Sequence, residues 1–375
     1  MTAEQKPLKV IQVLPRLESG GVERGVCEVV CYLKDHGYEP IVISEGGKMV
    51  ELLNSNAVSH VKMQVGSKSP VSLLTIRKLR KFFLEQQPHI VHGRSRLPDW
   101  LCYLALKKIP EQTRPKFITS VHGLHSVSRY SSIIAKGERI EAVSDTAKDY
   151  LISNYTQVQE SNIRVIHRGV DPSLYTPTFE PSQNWMDEWQ ESMSVMNPDN
   201  LPVLTIVGRI SRLKGHPHFL KIVENLNKLE TSVIGLIVGE ADQHHKRYAE
   251  KLQEQVKMSR ELHQKVFFLG TRSDVREIMS KSNVILSLSS KPESFGRTVL
   301  EALSLGTPVV GFDHGGVSEI LAELFPDGAV PFGDIGTATE KVTELMHRKV
   351  DLPTHEFTLE NMCSQTLSMY QELVA

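Results

Sequence analysis

Residues 284–312 read VILSLSSKPESFGRTVLEALSLGTPVVGF, and this stretch decides the fold of its half of the chain. Apolar runs of strand length stand at its two ends, at 284–289 and 308–312, and a helical pattern lies between them. Two strands joined by a helix form a crossover unit, in which the strands run parallel. The stretch therefore predicts a parallel sheet covered by helices.

The same alternation of strand-length apolar runs with longer helical patterns extends along the rest of the chain. These runs are nearly continuous in Val and Ile, which is typical of strands buried on both faces. They lie at 8–14, 39–44, 89–93, 116–123, 139–144 and 163–169 in the first half, and at 203–208, 233–239 and 265–270 in the second. We expect an α/β fold of two Rossmann-like domains whose parallel sheets face each other across a cleft.

Residues 171–202 interrupt the alternation, because they are rich in proline and polar residues. The expected N-terminal domain is therefore 1–175, followed by a linker over 176–202 that carries some short helix. A C-terminal Rossmann-like domain is expected over 203–357, and a last helix over about 358–375.

Composition excludes several classes of protein. The chain has 43 Lys and Arg against 44 Asp and Glu, and this balance gives no indication of a nucleic-acid partner. The four cysteines form no CxxC pair, so neither zinc nor redox chemistry is indicated. The apolar runs are too short to span a membrane, and the start lacks the apolar core of a signal peptide. A cytoplasmic location is expected.

Ligands of parallel sheets bind beyond the carboxyl ends of the strands, so the polar residues after each apolar run are the site candidates. Glu293 stands just before the helix predicted after 284–289, and Glu301 stands about two turns inside it. One carboxylate is placed to face a reacting sugar and the other to accept hydrogen bonds from ribose, while the free amides of the first turn bind an anion. The alternative is a helix-dipole interaction for Glu293 and a surface pair for Glu301.

Two further strand ends carry residues suited to phosphate. Arg209 and Lys214, in GRISRLKG, are placed to converge on a diphosphate, or else are two solvated cations. Gly20 and Gly21, in SGGVERG, let the backbone approach a phosphate at a helix start, or else form a simple turn.

The N-terminal half offers polar residues of a different kind. His122 follows the run at 116–123 and is placed to bind a substrate hydroxyl, although lone histidines are more often structural. Arg94 and Arg96 follow the run at 89–93 and are placed to bind an anionic acceptor.

These segments together resemble the retaining GT-B glycosyltransferases of glycosyltransferase family 4 (group 1). The matching segments are GGVER, VHG, AVS, RGVD, GRISRLKG, LIVGE, VFFLG, PESFGRTVLEALSLGTPVVG and DHGGVSEI. RGVD departs from the family's usual NGVD at Arg168. The chain also resembles bacterial enzymes that build lipopolysaccharide core or other surface glycans.

The resemblance implies a role for each candidate. Catalytic roles fall to Glu293, His122, Arg209 and Lys214. Donor binding falls to Gly20, Gly21, Arg209, Lys214, Gly296, Arg297, Thr298 and Glu301. Glu23 is implied to lie on the acceptor side, where Arg94 and Arg96 are also expected.

The resemblance also implies the reaction. A sugar moves from a nucleotide-diphosphate sugar to a glycan or lipid-linked acceptor with retained configuration, and neither a metal nor another cofactor takes part. UDP is the favoured nucleotide, with GDP and ADP open. The N-terminal domain would bind the acceptor, the C-terminal domain the donor, and the last helix would pack back on the first domain. A nucleotide-sugar epimerase of GT-B architecture and a non-catalytic nucleotide-sugar-binding protein are the alternatives.

A basic segment at 71–84, VSLLTIRKLRKFFL, indicates where the protein would meet a membrane. Its apolar residues are Leu73, Ile76, Leu79 and Phe83, and its basic residues are Arg77, Lys78, Arg80 and Lys81. This pattern suits an interfacial helix on an anionic surface, and hence a peripheral location on the inner face of the cytoplasmic membrane. The alternative is an ordinary crossover helix with a solvated basic face.

Overall fold

The computed structural model describes residues 7–18, 20–67, 72–229 and 231–375. The chain divides into two compact units. Unit 1 extends to Gly169 and includes Leu359–Ala375, and unit 2 is Val170–Thr358. Residues 1–6 of the expected N-terminal domain, and residue 71 of the expected membrane segment, lie outside the described residues.

Unit 1 is built on a seven-stranded parallel sheet. Its strands are β1 Lys9–Val13, β2 Glu39–Ser44, β3 Ser59–Lys62, β4 Ile90–Gly93, β5 Lys116–Val121, β6 Arg139–Ala142 and β7 Ile163–Val165. Helices between them are α1 Gly21–Asp35, α2 Val50–Ser55, α3 Ser72–Gln86, α4 Arg96–Leu106 and α5 Asp145–Asn154. The order β3-β2-β1-β4-β5-β6-β7 reverses direction between β1 and β4. These central strands are almost wholly buried, because helices cover both faces of the sheet.

Unit 2 repeats this plan with a six-stranded parallel sheet. Its strands are β8 Val203–Val207, β9 Ile234–Val238, β10 Val266–Gly270, β11 Val284–Ser287, β12 Val309–Phe312 and β13 Ala329–Val330. Its helices are α6 Gln183–Met196, α7 His216–Lys228, α8 Lys246–Met258, α9 Val275–Ser280, α10 Arg297–Ser304, α11 Gly315–Leu324 and α12 Ile335–Leu345. The order β10-β9-β8-β11-β12-β13 reverses between β8 and β11. The prediction of two α/β units with parallel sheets is confirmed.

The structure differs from the sequence-based prediction in three elements. Strand β3, SHVK, is short and half-polar, and β13 has two residues, so neither forms a recognisable apolar run. Within the expected linker, α6 is a helix of 14 residues that packs against the core of unit 2 through Trp185, Trp189 and Met193. Its two tryptophan rings stack with their centroids 5.0 Å apart. Polar and proline residues on either side of α6 concealed its apolar face.

Part of the expected membrane-binding face of helix α3 is buried in the core of unit 1. Leu79 and Phe83 are buried in the core of unit 1, so the expectation that they face a membrane is wrong. Leu73 and Leu74, at the start of the helix, are 72% and 52% exposed. No helix in the described ranges has both the length and the apolar content needed to cross a bilayer.

The last helix, α13 Leu359–Val374, contributes to the core of unit 1. Tyr370 is fully buried, and its hydroxyl lies 2.7 Å from His92 Nδ1. The same hydroxyl accepts a hydrogen bond from Gln12 Nε2 at 3.2 Å. One side chain of α13 therefore satisfies polar groups on β1 and β4 that the buried sheet would otherwise leave unpaired.

We expect Tyr370→Phe to destabilise unit 1 by about 1–3 kcal/mol, because it leaves buried polar groups of His92 and Gln12 without a partner. Tyr38→Phe is the matched control, since the Tyr38 hydroxyl accepts a surface hydrogen bond from Gln371 of the same helix. The control should change stability by less than about 0.5 kcal/mol. Urea unfolding followed by circular dichroism measures both, and equal effects would contradict a special role for the buried hydroxyl.

Candidate active site

A cavity of about 220 Å³ opens in unit 1 at the strand reversal. It is lined by residues that follow β1, β4 and β5, where a ligand of a parallel sheet is expected. Its walls are Leu14, Pro15, Arg16, Val22, Glu23, Arg94, Ser95, Arg96, Ser120, His122, His125 and Ile134. Four residues predicted from the sequence, Glu23, Arg94, Arg96 and His122, therefore share one cavity.

Glu23, in the first turn of α1, lines the cavity beside Val22, whereas Gly20 and Gly21 are not among its lining residues. Gly20 caps α1, and a Cβ on Gly20 would lie 2.3 Å from Glu23 Oε2. The carboxylate of Glu23 thus folds back over a position that only glycine leaves open. Burial raises the pKa of Glu23, and the nearby charge of Glu18 adds to this, against the lowering effect of a backbone hydrogen bond.

A buried ion cluster lies at the base of the cavity. Arg94 Nη1 donates to Glu141 Oε2 at 2.5 Å, and Arg168 Nη2 lies 3.7 Å from Glu141 Oε1. All three side chains are buried. Burial opposes ionisation of Glu141, but Arg94 and then Arg168 more than offset it and lower its pKa to about 2. The cluster therefore holds two guanidinium groups around one ionised carboxylate.

Two histidines beside this cluster are neutral. Ser120 Oγ donates to Glu141 at 2.9 Å, so it accepts from His92 Nε2, which lies 2.6 Å away. Arg168 Nη2 lies 2.7 Å from His122 Nδ1, which must accept, so Nε2 of His122 carries the proton. Burial and the neighbouring guanidinium groups hold the pKa of both rings well below the usual value. Arg168, the departure from the family pattern, thus fixes the tautomer of His122.

The two arginines expected on the acceptor side have different surroundings. Arg96 is half-buried, donates to Ser131 Oγ at 3.0 Å and lies over the ring of Tyr130 at 5.2 Å. Arg94 is only 1% exposed, and its Nε and Nη2 have no hydrogen-bond partner within the described part of the chain. Arg94 is therefore not the solvent-facing residue that its loop position suggested, although it still borders the cavity.

In unit 2, Lys214 and Glu293 meet at the strand reversal. Lys214 follows β8 and Glu293 follows β11, and Nζ of Lys214 donates to Oε1 of Glu293 at 2.7 Å. Ser289 Oγ donates to the same carboxylate oxygen. Burial opposes ionisation of Glu293, but Lys214 and Ser289 lower its pKa below the ordinary value. Glu293 is therefore an ionised carboxylate held by two donors.

Helix α10 begins directly after this carboxylate. Gly296 is its N-cap, and Arg297 and Thr298 open the first turn. The backbone of α11 presses against this loop, because a Cβ on Gly316 would lie 2.4 Å from Phe295 Cα, and the amide of Gly316 donates to Glu293 O at 2.8 Å. The loop between β11 and α10 is thus fixed by main-chain contact.

Within α10, Arg297 Nε donates to Glu301 Oε1 at 3.1 Å, one helical turn away. Glu301 is 8% exposed, so the alternative of a surface pair for this carboxylate is wrong. Arg209 behaves differently, since its side chain is 65% exposed and its Nη1 lies 3.4 Å from Asp242 Oδ2. The expected convergence of Arg209 with Lys214 is not present among these contacts.

Sequence reasoning missed three residues that organise these sites. Glu141 stands inside the apolar strand β6, and a lone carboxylate in a buried strand is the signal that could have identified it. Ser289 and Asp242 carry no such signal, because one is the last residue of the run at 284–289 and the other lies in a polar loop, and each acquires its partner only in the fold.

Comparison with known proteins identifies the chain. Residues 19–174 match the family model described as Glycosyltransferase Family 4, and residues 187–358 match the model described as Glycosyl transferases group 1. The chain belongs to the family 4, group 1 glycosyltransferases. The sequence resemblance is therefore confirmed, with one match covering most of each unit.

Relatives of this glycosyltransferase align along nearly its whole length. The N-acetyl-alpha-D-glucosaminyl L-malate synthase of Bacillus anthracis is 23% identical over 364 residues, which are 91% of this chain and 90% of the relative. A solved glycosyltransferase of Rickettsia africae is 29% identical with a TM-score of 0.79 over 99% of each chain. The Anabaena protein HepE, solved with UDP and glucose, is 18% identical with a TM-score of 0.77, over 97% of this chain and 99% of HepE, and shows the GT-B fold alone.

We expect the stability of unit 2 to fall in acid because of His216, which follows Gly215. His216 opens α7 and is fully buried, and burial lowers its pKa from 6.5 to about 4. Between these values the unfolded chain binds the extra proton, so stability falls as the pH is lowered. For this group alone the loss from about pH 7 to about pH 5 is about 2 kcal/mol.

We expect His216→Gln to flatten this pH dependence, whereas His263→Gln, at an exposed site in the same unit, should leave it unchanged. Trp185 and Trp189 report on unit 2, so urea unfolding followed by tryptophan fluorescence at the two pH values measures the effect. If the free energy of unfolding falls equally between the two pH values in wild type and in His216→Gln, the lowered pKa of His216 is not the cause.

Proposed function

We propose that this glycosyltransferase moves a hexose-type sugar from a nucleotide-diphosphate sugar to an acceptor hydroxyl, with retained configuration and without a metal ion. The proposal rests chiefly on the ion pair of Lys214 and Glu293 beside the first turn of α10, at the strand reversal of unit 2. Family membership supports it, as does the presence of UDP and glucose in HepE. UDP is the proposed nucleotide, and the proposed acceptor is a glycan or lipid-linked molecule of the cell surface.

The diphosphate would be bound by cations and helix amides. Lys214 has three donors, and its contact with Glu293 uses one of them. The first-turn amides of α10 add partial positive charge, which suits an anion. Arg209 forms an exposed ion pair with Asp242, which is a weak restraint, so the guanidinium can turn towards a phosphate. These groups would stabilise the negative charge that develops on the departing nucleotide.

Glu293 would act on the sugar. When the bond between the anomeric carbon and the phosphate oxygen breaks, positive charge develops on the sugar, and an ionised carboxylate nearby stabilises it. The acceptor oxygen then bonds to the same face of the anomeric carbon, and its proton passes to the departing phosphate oxygen. Glu301, held by Arg297, would accept hydrogen bonds from ribose hydroxyls. His122 would offer its Nε2 proton to a substrate hydroxyl.

We expect Glu293→Gln to lower kcat by about 100-fold or more, because the change removes the negative charge that would stabilise the sugar in the transition state. UDP affinity should change by less than about threefold, because the amide oxygen of glutamine can still accept the hydrogen bond of Lys214. Calorimetric titration with UDP, GDP and ADP measures binding, and release of nucleotide from matching activated sugars measures turnover. Glu344→Gln, at an exposed position on α12, is the control and should behave as wild type.

The same assay separates the alternatives. A nucleotide-sugar epimerase would convert the activated sugar without an acceptor and without releasing nucleotide. A non-catalytic binding protein would bind nucleotide and turn over no sugar at all. Unchanged turnover in Glu293→Gln would contradict the role of this carboxylate.

We further propose that unit 1 binds an anionic membrane through the start of α3. Leu73 and Leu74 are exposed, and Leu73 borders an apolar groove of about 750 Å³ that Trp100 and Leu104 also line. Two cations, Arg129 and Lys136, line the groove itself, and α3 carries four more, namely Arg77, Lys78, Arg80 and Lys81. An apolar surface flanked by cations matches the two components of an anionic bilayer surface, acyl chains and charged headgroups.

We expect the protein to co-sediment with vesicles of phosphatidylcholine and phosphatidylglycerol but not with phosphatidylcholine alone. Replacing all four basic residues of α3 by Gln should weaken this binding by about tenfold or more. The matched control replaces four exposed basic residues of α8, namely Lys246, Arg247, Lys251 and Lys257. An equal loss in both variants would mean general charge attraction and would reject this docking surface.

A further inference from the structure

We propose that the unit 1 cavity recognises its acceptor through an anionic group, a carboxylate or a phosphate, that Arg94 and Arg96 bind. The acceptor would therefore be a hydroxylated acid or a phosphorylated polyol, or a larger glycan that ends in one. This inference rests on the proposed function, because it names the chemistry of the molecule that receives the sugar.

The strongest observation is the unfinished hydrogen bonding of Arg94. Arg94 lines the cavity, and the residue is only 1% exposed. Nη1 is occupied by Glu141, whereas Nε and Nη2 have no hydrogen-bond partner in the described ranges. Burying such donors unpaired costs free energy, and a carboxylate or phosphate can pair with the Nε and Nη2 edge through two parallel hydrogen bonds. A neutral hydroxyl would satisfy this edge less well.

The charges around the cavity point the same way. Arg94 and Arg168 carry two positive charges, and Glu141 returns one negative charge. Neither His92 nor His122 adds a charge, because both rings are neutral. Within the three-residue cluster of Arg94, Arg168 and Glu141, the positive charges therefore exceed the negative charge by one. An anion in the cavity would balance that charge in a region where water is largely excluded.

Besides Glu141, the acidic residues nearest to Arg94 and the cavity are Asp99 and Glu23. Asp99 is fully buried near Arg94, and burial raises its pKa well above the usual range, which favours the uncharged carboxyl. Glu23 lines the cavity, and the guanidinium of Arg96, which lines it too, offsets the negative charge of this carboxylate. Arg16 is a third lining residue, but its Nε lies 3.5 Å from Glu45 Oε2, so this pair adds no net charge. The cavity thus retains an excess of positive charge after each of these residues is counted.

The size and the acidic wall of the cavity define the ligand further. About 220 Å³ is small compared with the pockets that enclose whole drug-sized ligands. It suits the end of a molecule, namely an anionic group with a few hydroxylated carbons. Glu23 is partly desolvated, and its carboxylate can accept a hydrogen bond from a hydroxyl of that ligand. The same cavity therefore offers donors for an acid group and an acceptor for an alcohol.

The test compares three small probes that share one carbon skeleton, glycerol, glycerate and glycerol 3-phosphate. Binding is measured by ligand-observed NMR on the full chain, with and without saturating UDP. We expect both anions to bind at least tenfold more tightly than glycerol, and their relative affinities will distinguish a carboxylate site from a phosphate site. Arg96→Gln should weaken anion binding at least fivefold, while Arg164→Gln, an exposed arginine of β7, should not.

A second variant keeps the test decisive if the buried arginine proves essential for folding. Arg94→Lys retains the charge but loses the two-donor edge, so anion binding should weaken even where circular dichroism and the unfolding midpoint match wild type.

Equal affinity for glycerol and the anions would overturn the inference, as would equal effects of Arg96→Gln and Arg164→Gln. Displacement of the anions by UDP would also overturn it, since the cavity would then bind donor phosphate. If UDP binds normally and the anions do not bind, this inference fails while the proposed function stands. If the anions bind and UDP does not, the proposed function fails, while the anion site in the unit 1 cavity stands.

Discussion

The carboxylate of Glu141 sets the arrangement of unit 1 around the cavity. It stands on β6 and holds the guanidinium groups of Arg94, after β4, and Arg168, after β7. Through Ser120 it also fixes His92, which in turn contacts Tyr370 of the last helix. A buried ion pair contributes little net stability, because desolvation offsets much of its attraction, but losing one partner leaves an uncompensated charge. The cluster therefore specifies one arrangement of four elements more than it stabilises the fold.

Unit 2 handles charge in a different way. Lys214 and Glu293 remain 29% and 23% exposed, and Arg209 is mostly in solvent. Partial exposure means that water already competes for these groups, so a phosphate can replace part of their present contacts at low cost. What is rigid here is the main chain, because Gly316 packs directly against the loop that carries Glu293. A fixed backbone with adjustable cations suits a ligand that must enter, react and leave.

The sequence predicted most of the fold because parallel strands buried on both faces leave a strong signal. Strands such as β2 and β12 are continuous apolar runs, and their ends indicate where ligands bind. Strand β3 was not predicted because it is half-polar. Helix α6 was predicted only as a short helix of the linker, because the polar and proline-rich segments on either side concealed its length and its apolar face. Leu79 and Phe83 were assigned to a membrane face because a pattern gives the spacing of apolar residues on a helix but not which of them the core covers.

The sequence predicted several of the positions that line the candidate site, but it did not predict how deeply each side chain is buried. A strand end places Arg94 and Arg96 in the same loop, but only the fold distinguishes the buried arginine from the half-buried one. That difference has a functional consequence. When a solvated arginine binds a ligand, the loss of its water and of its side-chain freedom reduces the free energy of binding. The guanidinium of Arg94 has already lost both during folding. Its unpaired edge is therefore preorganised, and preorganised groups discriminate between ligands more sharply than mobile ones do. If the proposed functions hold, unit 1 would by this argument select its ligand by charge, while unit 2 would adjust to hold a diphosphate.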